Sequence, residues 1–307
     1  MQRKIVYFIN PISGTKNKSS AIKIISERTK KENIPFEILD TNAVGNYFYL
    51  KEKIEKENIT DIIVCGGDGT VSQIASSLIE EDISIGIIPM GSGNGLAFAA
   101  KIPKDINKAL DIIFNGKARY IDSFFINDTF SCMLCGLGFD AQVAHDFAKE
   151  PSRGLGTYIK KSIENFITAQ PYPFEIINMG KSFATEAFFI SIANGNQFGN
   201  QFTIAPKASL NDGLLDIVVV KKMSKLRLVT AIIKQVLAGK INEHDELTFH
   251  KKNVLYFQTN QLIILNLAPA PLHIDGDPVH TAKKIVIKVI PDAFKLIQPI
   301  IKINNVK

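Results

Sequence analysis

The regular alternation of short apolar runs and longer amphipathic runs over residues 1–120 constrains the fold of this chain more than any other feature. Short apolar runs are typical of buried strands, and apolar residues at helical spacing are typical of surface helices. The predicted strands are residues 5–9, 36–39, 62–65 and 85–88, and the predicted helices are residues 19–32, 47–57, 71–80 and one beginning near residue 94. The pattern predicts an α/β fold, with a parallel sheet covered by helices on both faces and ligands at the carboxyl ends of the strands.

Residues 121–290 have a different pattern, in which strand-like runs dominate. These runs lie at residues 124–126, 130–134, 174–177, 187–193, 215–220, 254–258, 262–265 and 285–290, and helices are predicted only at 156–169 and 224–238. Many short strands with few helices indicate a mostly antiparallel β-sandwich. We therefore predict an α/β domain at residues 1–120 and a β-sandwich domain at residues 121–290, and we leave open whether residues 291–307 complete the first domain.

Composition and charge exclude several classes of function. The chain has 46% apolar and 21% charged residues, which is typical of a globular protein, and it lacks an apolar run of the about 20 residues that span a bilayer. Its start lacks the features of a signal peptide, so we expect a cytoplasmic location. The net charge of +6 suits anionic partners, but no cluster of basic and aromatic residues indicates nucleic-acid binding.

The three cysteines are too few for a disulfide framework. Cys132 and Cys135 form a C-x-x-C pair. They lie in residues 129–135, which we interpret as one buried strand. Residues three apart on a strand point to opposite faces, so we do not expect this pair to bind a metal.

Three polar loops that contain glycine follow predicted strands of the α/β domain and precede its helices. They are residues 10–16, 66–70 and 91–95. Glycine lets the backbone approach an anion closely, and N–H groups at a helix N-terminus attract phosphate oxygens. Because parallel strands end at the same edge of a sheet, the loops together predict a nucleotide site at that edge.

The loops match neither of the two commonest nucleotide-binding patterns. No G-x-x-x-x-G-K-[ST] segment occurs, and Leu96 occupies the position of the last glycine in G-x-G-x-x-G after Gly91 and Gly93. The usual GTPase and dinucleotide-binding interpretations are therefore disfavoured.

Six segments resemble motifs of the diacylglycerol kinase catalytic-domain family, whose relatives include sphingosine and ceramide kinases and, more remotely, NAD kinases. In chain order they are Asn10-Pro11-x-Ser13-Gly14, Gly66-Gly67-Asp68-Gly69-Thr70, Pro89-x-Gly91-Ser92-Gly93-Asn94, Gly136-x-Gly138-Phe139-Asp140-Ala141, Ala205-Pro206-x-Ala208-x-x-x-Asp212-Gly213-x-Leu215-Asp216 and Asp275-Gly276-Asp277. They cover nearly the whole chain in the expected order. The resemblance implies an ATP- and Mg²⁺-dependent lipid kinase with a nucleotide-binding α/β domain and a lipid-binding β-sandwich.

The resemblance also implies which residues bind ATP. They lie in the three loops and directly after the second predicted strand: Asn10, Thr41, Gly66, Gly67, Asp68, Gly69, Thr70, Val71, Ser72 and Ser92. Two alternatives stay open at this point. Thr41 also fits an ordinary loop residue, and Asp68 also fits a helix-capping aspartate.

The metal ligands and the catalytic base are likewise implied by the resemblance. Asp212 would bind Mg²⁺ through its side chain, with the backbone carbonyls of Ser209 and Leu214 beside it, and such hard oxygen ligands suit this ion. The family has glutamate as proton acceptor where this chain has Asp277, which is one methylene shorter, so Asp275 and Asp68 remain alternative bases. Without the resemblance, the segments around Asp212 and Asp275 are typical of turns.

The expected reaction is transfer of the γ-phosphoryl group of ATP to a lipid hydroxyl, with diacylglycerol as the family's usual acceptor. Many bacterial members have aspartate after the asparagine of the third loop, whereas Gly95 stands here and resembles the sphingosine and ceramide kinases. A sphingoid or ceramide-like acceptor is therefore the first alternative. An NAD kinase and a non-catalytic lipid or nucleotide sensor follow. We expect transient contact with a membrane surface, and a homodimer stays open.

Overall fold

The computed structural model describes residues 2–14, 18–42, 44–150, 155–197, 205–224 and 253–300. The chain divides into two compact units, Met1–Ile121 with Asp292–Lys307, and Asp122–Pro291. Within the described residues, no helix is both long and apolar enough to cross a membrane. Most of the helix predicted at residues 224–238 lies outside the described part of the chain.

The first unit is an α/β layer in which strands and helices alternate. Its elements are β1 (Ile5–Ile9), α1 (Lys18–Lys31), β2 (Phe36–Asp40), α2 (Tyr49–Glu57), β3 (Asp61–Gly66), α3 (Asp68–Ser76), β4 (Ser84–Pro89), α4 (Gly95–Ala99) and α5 (Ile106–Asn115). The parallel strands run in the order β2-β1-β3-β4, and β1 pairs with both β2 and β3. Every residue of β1 and β3 is buried, as expected for central strands of a parallel sheet.

Two polar contacts fix the ends of these elements. Arg3 forms a bidentate ion pair with Asp61 at 2.8 and 2.9 Å and also donates to the carbonyls of Ile113 and Phe114, which anchors the strand starts to the end of α5. Asp105 caps α5 by accepting the backbone N–H of Lys108 at 3.0 Å.

The second unit is mostly antiparallel. Its elements are β5 (Lys117–Ile126), which begins in the first unit, β6 (Thr129–Ser131), β7 (Leu134–Gly138), α6 (Phe139–Lys149), α7 (Leu155–Thr168), β8 (Tyr172–Asn178), β9 (Lys181–Ala193), β10 (Leu215–Lys221), β11 (Val254–Thr259), β12 (Gln261–Asn266), β13 (Leu272–Ile274), β14 (Asp277–Val279) and β15 (Lys284–Gln298). Strand β9 pairs with β7, β8 and β10, and β13 pairs with β7 and β14. The core of this unit is built from inward-facing aliphatic residues such as Leu137, Ile190 and Ile217.

Strand β15 ends beyond the second unit. It pairs with β12 over Lys284 to Lys288, and further along it pairs in parallel with β4, where Lys295 lies opposite Ser84 and Leu296 opposite Ile85. The last residues of this strand thus add a parallel strand next to β4.

The prediction of a single strand at residues 129–135 is wrong. The chain forms two strands, β6 and β7, with Cys132 and Met133 between them. The N–H groups of Met133 and Leu134 donate to the carboxylate of Asp275, which replaces the ladder partner that a continuous strand would need. Cys132 and Cys135 are buried and reduced, and burial raises the pKa of the Cys135 thiol well above its usual value.

Helix α6 was not predicted from the sequence, and α3 begins earlier than predicted. Residues 139–149 are buried only at Asp140, Ala141, Val143 and Ala144, which is a narrow stripe. In α3 the helix already starts at Asp68, so the second glycine of the Gly-Asp-Gly segment lies inside it. Glycine is a poor helix former, which is why residues 68–70 were interpreted as loop.

Candidate active site

The three predicted loops follow the carboxyl ends of β1, β3 and β4, which are neighbours in the sheet. Their backbones are tied directly to one another at this edge. The carbonyl of Gly66 accepts the N–H of Met90 at 2.9 Å and that of Gly91 at 3.2 Å, and the N–H of Asn10 donates to the carbonyl of Cys65 at 3.0 Å. The sheet therefore brings all three loops to one place, as the sequence predicts.

A side-chain bond joins the first loop to the second. Nδ2 of Asn10 donates to Oγ1 of Thr70 at 2.9 Å, while Oδ1 of Asn10 accepts the backbone N–H of Ile12 at 3.0 Å. Thr70 is buried in the first turn of α3. Asn10 thus uses both ends of its amide to hold the first loop against α3.

Asp68 joins the second loop to the third. Its Oδ2 accepts the N–H of Gly95 at 2.9 Å and its Oδ1 accepts the N–H of Leu96 at 3.0 Å. Both donors belong to the first turn of α4, so the carboxylate of one loop caps the helix that follows another. The carboxylate thus makes a capping contact, although with α4 and not with α3, and its role at a nucleotide or in catalysis stays a prediction.

Asn94 closes the third loop on itself. Its backbone lies in the left-handed region with φ 57°. Its Oδ1 accepts the N–H of Gly91 at 2.8 Å, and its Nδ2 donates to the carbonyl of the same residue at 2.7 Å. Asparagine adopts this conformation more readily than most residues, and its amide satisfies both backbone groups of Gly91.

The glycines at the rim are required by close contact. A Cβ atom at Gly91 would lie 2.5 Å from Cα of Gly67, and one at Gly14 would lie 2.2 Å from the carbonyl oxygen of Met90. Gly14 also has φ +58°, which favours glycine. The loops could not approach each other this closely if these positions carried side chains.

The other predicted nucleotide residues differ in accessibility. Gly67, Asp68 and Gly69 are half-buried at the start of α3, whereas the side chains of Val71 and Ser72 are buried. Ser92 is half-buried in the third loop, and Thr41 directly follows β2, where its N–H donates to the carbonyl of Ile9.

The predicted metal loop lies before β10 in the second unit. The carboxylate of Asp212 accepts the N–H of Leu214 at 3.1 Å, and Oγ of Ser209 donates to the side-chain carbonyl of Asn211. Burial raises the pKa of Asp212 above its usual value, and the nearby carboxylate of Asp122 adds to the shift. Oδ2 of Asp122 itself accepts the N–H of Gly213 at 2.7 Å. No group of three or more histidine, cysteine or acidic side chains is placed to hold a metal in the described ranges.

The predicted base loop is a tight hairpin between β13 and β14. Its two turn residues, Asp275 and Gly276, have φ 50° and φ 87°, as in the primed turns that suit hairpins. Oδ1 of Asp275 accepts the hydroxyl of Ser131 at 2.8 Å as well as two backbone N–H groups. Asp277 follows the turn and is exposed.

Sequence reasoning missed several polar residues that connect these loops. Asp122 and Asn194 are buried, and Nδ2 of Asn194 donates to the carbonyls of Asp122 and Cys132 at 2.7 and 3.0 Å. Asp140 and His273 are also buried and face each other. Two of them carried a signal in the sequence, because Asp140 lies in one of the recognised motifs and His273 lies two residues before Asp275.

Comparison with known families agrees with this arrangement. Residues 4–126 match the diacylglycerol kinase catalytic domain, and residues 134–298 match the YegS C-terminal NAD kinase beta sandwich-like domain. The chain belongs to the diacylglycerol kinase family. This chain is an ATP-dependent lipid kinase.

Individual members of the family align over most of the chain. A Bacillus subtilis (strain 168) protein named diacylglycerol kinase is 25% identical over 89% of each chain. A Yersinia enterocolitica serotype O:8 protein named probable lipid kinase YegS-like is 30% identical over 77% of this chain and 78% of its own. The crystal structure of a diacylglycerol kinase from Bacillus anthracis str. Sterne covers 96% of this chain and 97% of its own, with a TM-score of 0.70 and 20% identity, and so shows the shared fold. The predicted fold class and the predicted lipid kinase are confirmed.

Proposed function

We propose that this lipid kinase transfers the γ-phosphoryl group of ATP to a hydroxyl of a membrane lipid of the diacylglycerol type. The observation that carries the proposal is the mutual clamping of the three loops in the first unit, by Asn10 to Thr70 and by Asp68 to Gly95 and Leu96. Phosphoryl transfer depends mostly on positioning and charge neutralisation. A rim that is already rigid loses little entropy when it orders a triphosphate.

Each loop would contribute to ATP binding in a way that its burial allows. The half-buried residues Gly67 to Gly69 would offer backbone N–H groups at the start of α3, where phosphate oxygens are favoured. Val71 and Ser72 would support the loop from inside α3, because their side chains are buried and the N–H of Val71 donates to the carbonyl of Gly67. Asn10, Thr41 and Ser92 would supply polar side chains around the nucleotide, and the buried hydroxyl of Thr70 would hold Asn10 in place.

The residues of the Asp212 loop fit a magnesium ion. Asp212 and Asp122 are acidic neighbours, and the pKa of Asp212 is raised by burial first and by Asp122 second. Two neighbouring carboxylates repel each other when both are charged, and a bound cation would relieve that repulsion. Asp212 would hold Mg²⁺ with the carbonyls of Ser209 and Leu214, which are hard oxygen donors. When bound, the ion would neutralise negative charge that phosphoryl transfer concentrates.

Exposure to solvent favours Asp277 as the base among the three predicted acids, because Asp68 and Asp275 are half-buried. Both oxygens of Asp68 accept backbone N–H groups, and one oxygen of Asp275 accepts three donors. A carboxylate that accepts several hydrogen bonds is a weaker proton acceptor. Asp277 is exposed beside the turn, and we propose that it accepts the proton of the lipid hydroxyl.

The acceptor is tested by offering labelled ATP and Mg²⁺ to the purified full chain with different alcohols. Separate reactions contain mixed micelles of diacylglycerol, sphingosine or ceramide, and one contains NAD without micelles. Label in phosphatidic acid supports the proposal. Label in a sphingoid product or in NADP instead would replace diacylglycerol with that acceptor, and no label in any product despite nucleotide binding would overturn the proposed reaction.

The base is tested with matched amide substitutions. Asp277→Asn removes a proton acceptor at nearly constant shape and is expected to lower kcat by about 10²-fold or more, within the range of general bases. Asp275→Asn is the comparison, and it should lower thermal stability more than Asp277→Asn because Asp275 holds the Ser131–Leu134 segment. Full kcat in Asp277→Asn would assign the base elsewhere.

A further inference from the structure

A buried acid and a buried histidine lie directly behind the proposed base turn. Asp140 is in the first turn of α6 and His273 is the middle residue of β13, and they are 5% and 1% exposed. Oδ2 of Asp140 and Nε2 of His273 are 3.5 Å apart. Neither residue is one of the proposed ATP, metal or base residues. Burying two such groups costs free energy unless they are paired with each other.

The space for this pair depends on Gly136. This glycine lies opposite His273 in the pairing of β7 with β13. A Cβ atom at Gly136 would lie 2.0 Å from Oδ2 of Asp140 and 2.6 Å from Nε2 of His273. These contacts give a physical reason for the motif Gly136-x-Gly138-Phe139-Asp140. Gly136 leaves room for Asp140 to approach His273, and Gly138 makes the turn into α6 with φ 91°.

The other nitrogen of His273 contacts the turn itself. The backbone N–H of Gly276 donates to Nδ1 of His273 at 3.3 Å. An Nδ1 atom that accepts a hydrogen bond carries no proton, so the ring N–H is on Nε2, the atom that faces Asp140. At one end the ring faces Asp140 at 3.5 Å, and at the other it accepts the N–H of Gly276 in the turn.

The turn has a second attachment on its other side. Oδ1 of Asp275 accepts Oγ–H of Ser131 and the N–H groups of Met133 and Leu134. Both turn residues have positive φ, a conformation that is not the lowest in energy for aspartate and needs support. Asp277, the next residue, inherits its position from these two attachments.

We infer that Asp140 and His273 form a buried positioning pair that fixes the Asp275–Gly276 turn and through it the carboxylate of Asp277. The inference rests on the proposed function, in which Asp277 is the base. Asp140 and His273 do not touch the reacting atoms in this scheme. Their effect on the reaction is through the backbone N–H of Gly276.

Two conservative substitutions of His273 distinguish the contacts of its two ring nitrogens. In His273→Asn, the side-chain oxygen occupies roughly the place of Nδ1 and can still accept the N–H of Gly276. In His273→Gln, the longer amide reaches toward the place of Nε2 and leaves the N–H of Gly276 without that acceptor. A neutral hydrogen bond corresponds to roughly a 3- to 10-fold effect, so kcat is expected to fall by about that factor in His273→Gln and to stay closer to wild type in His273→Asn. KM for ATP should not change in either variant.

Amide hydrogen exchange tests the same contact without any activity measurement. The Gly276 amide should exchange roughly 3- to 10-fold faster in His273→Gln than in wild type or His273→Asn. His145 provides a matched control, because its Nε2 contacts the carbonyl of Leu272 on the same strand at 2.8 Å but not the turn. His145→Asn should lower stability without changing exchange at Gly276.

The outcomes distinguish this inference from the proposed function. An active wild type with equal kcat and equal Gly276 exchange in His273→Asn and His273→Gln would overturn the positioning pair. A wild type that phosphorylates no lipid, with the exchange difference present, would overturn the proposed function and leave the pair as a device that holds the turn. If His145→Asn accelerates Gly276 exchange as much as His273→Gln does, the effect is general loosening of β13 and the inference is wrong.

Discussion

The Oδ2 atom of Asp68 accepts the backbone N–H of Gly95 at 2.9 Å, although the two residues lie in different loops after different strands. With Oδ1 on the N–H of Leu96, the carboxylate caps α4 from outside that helix. The carboxylate of Asp68 therefore holds the second and third loops together. Substitution of Asp68 should therefore alter the arrangement of these two loops more than it alters proton transfer.

Asp68→Asn is expected to lower both stability and nucleotide affinity. The amide can accept through one oxygen only, and its NH2 group would face an N–H donor. The lost capping bond corresponds to a loss of about 1 to 2 kcal/mol in the free energy of unfolding. Chemical denaturation and calorimetric titration with an ATP analogue measure the two effects. Normal stability and affinity with reduced kcat would instead indicate that Asp68 acts in the chemical step.

Asn94→Gly and Asn94→Asp separate conformation from hydrogen bonding in the third loop. Glycine at this position keeps the left-handed backbone but loses both hydrogen bonds to Gly91. Aspartate still accepts the N–H of Gly91 but can no longer donate to the carbonyl of Gly91. We expect Asn94→Asp to lose about 1 kcal/mol of stability and Asn94→Gly to lose somewhat more. Thermal unfolding checks the order. Equal stability of Asn94→Gly and wild type would show that the backbone conformation alone matters.

Asn194→Ala should destabilise the second unit and loosen the contact between Asp122 in β5 and the Asp212 loop. Its buried amide bridges the carbonyls of Asp122 and Cys132, and Asp122 in turn accepts the N–H of Gly213 beside Asp212. Leaving two buried carbonyls without this donor corresponds to a loss of about 2 to 3 kcal/mol in the free energy of unfolding. Denaturation in urea measures it, and the Mg²⁺ concentration needed for half-maximal activity should rise. An unchanged Mg²⁺ dependence would contradict the coupling.

Asp216 predicts a pH dependence of stability. Burial raises its pKa to about 7, and Tyr256 donates its hydroxyl to this carboxyl. Because the folded pKa lies above the unfolded value, the group contributes stability at pH values below about 4, and that contribution is lost as the pH rises to about 7. The total loss is on the order of a few kcal/mol. Asp216→Asn should flatten the fall in stability between these pH values, measured by thermal unfolding with a chelator present. An equally steep fall in the variant would assign it to another group.

The alternation of strands and helices in residues 1–120 made the first unit predictable, because a fully apolar run such as β1 can be buried only as a central strand. The three glycine loops were predictable for the same reason, since parallel strands bring their carboxyl ends to one edge. The strand breaks and short hairpins of the second unit were harder. The separation of β6 from β7 depends on Asp275, which is more than 130 residues away along the chain.

The sequence alone determined the family, the kind of reaction and the three loops that meet at one edge of the sheet, because these follow from local patterns of glycine and polar residues. Only the tertiary structure decided what those residues do to one another. Asp68 caps α4, which is distant in sequence, and Asn194 bridges β5 and the segment between β6 and β7. His273 contacts both Asp140 and the turn at Gly276. Such hydrogen bonds join residues remote in sequence, and their partners are set by strand pairing and burial, which no local pattern encodes.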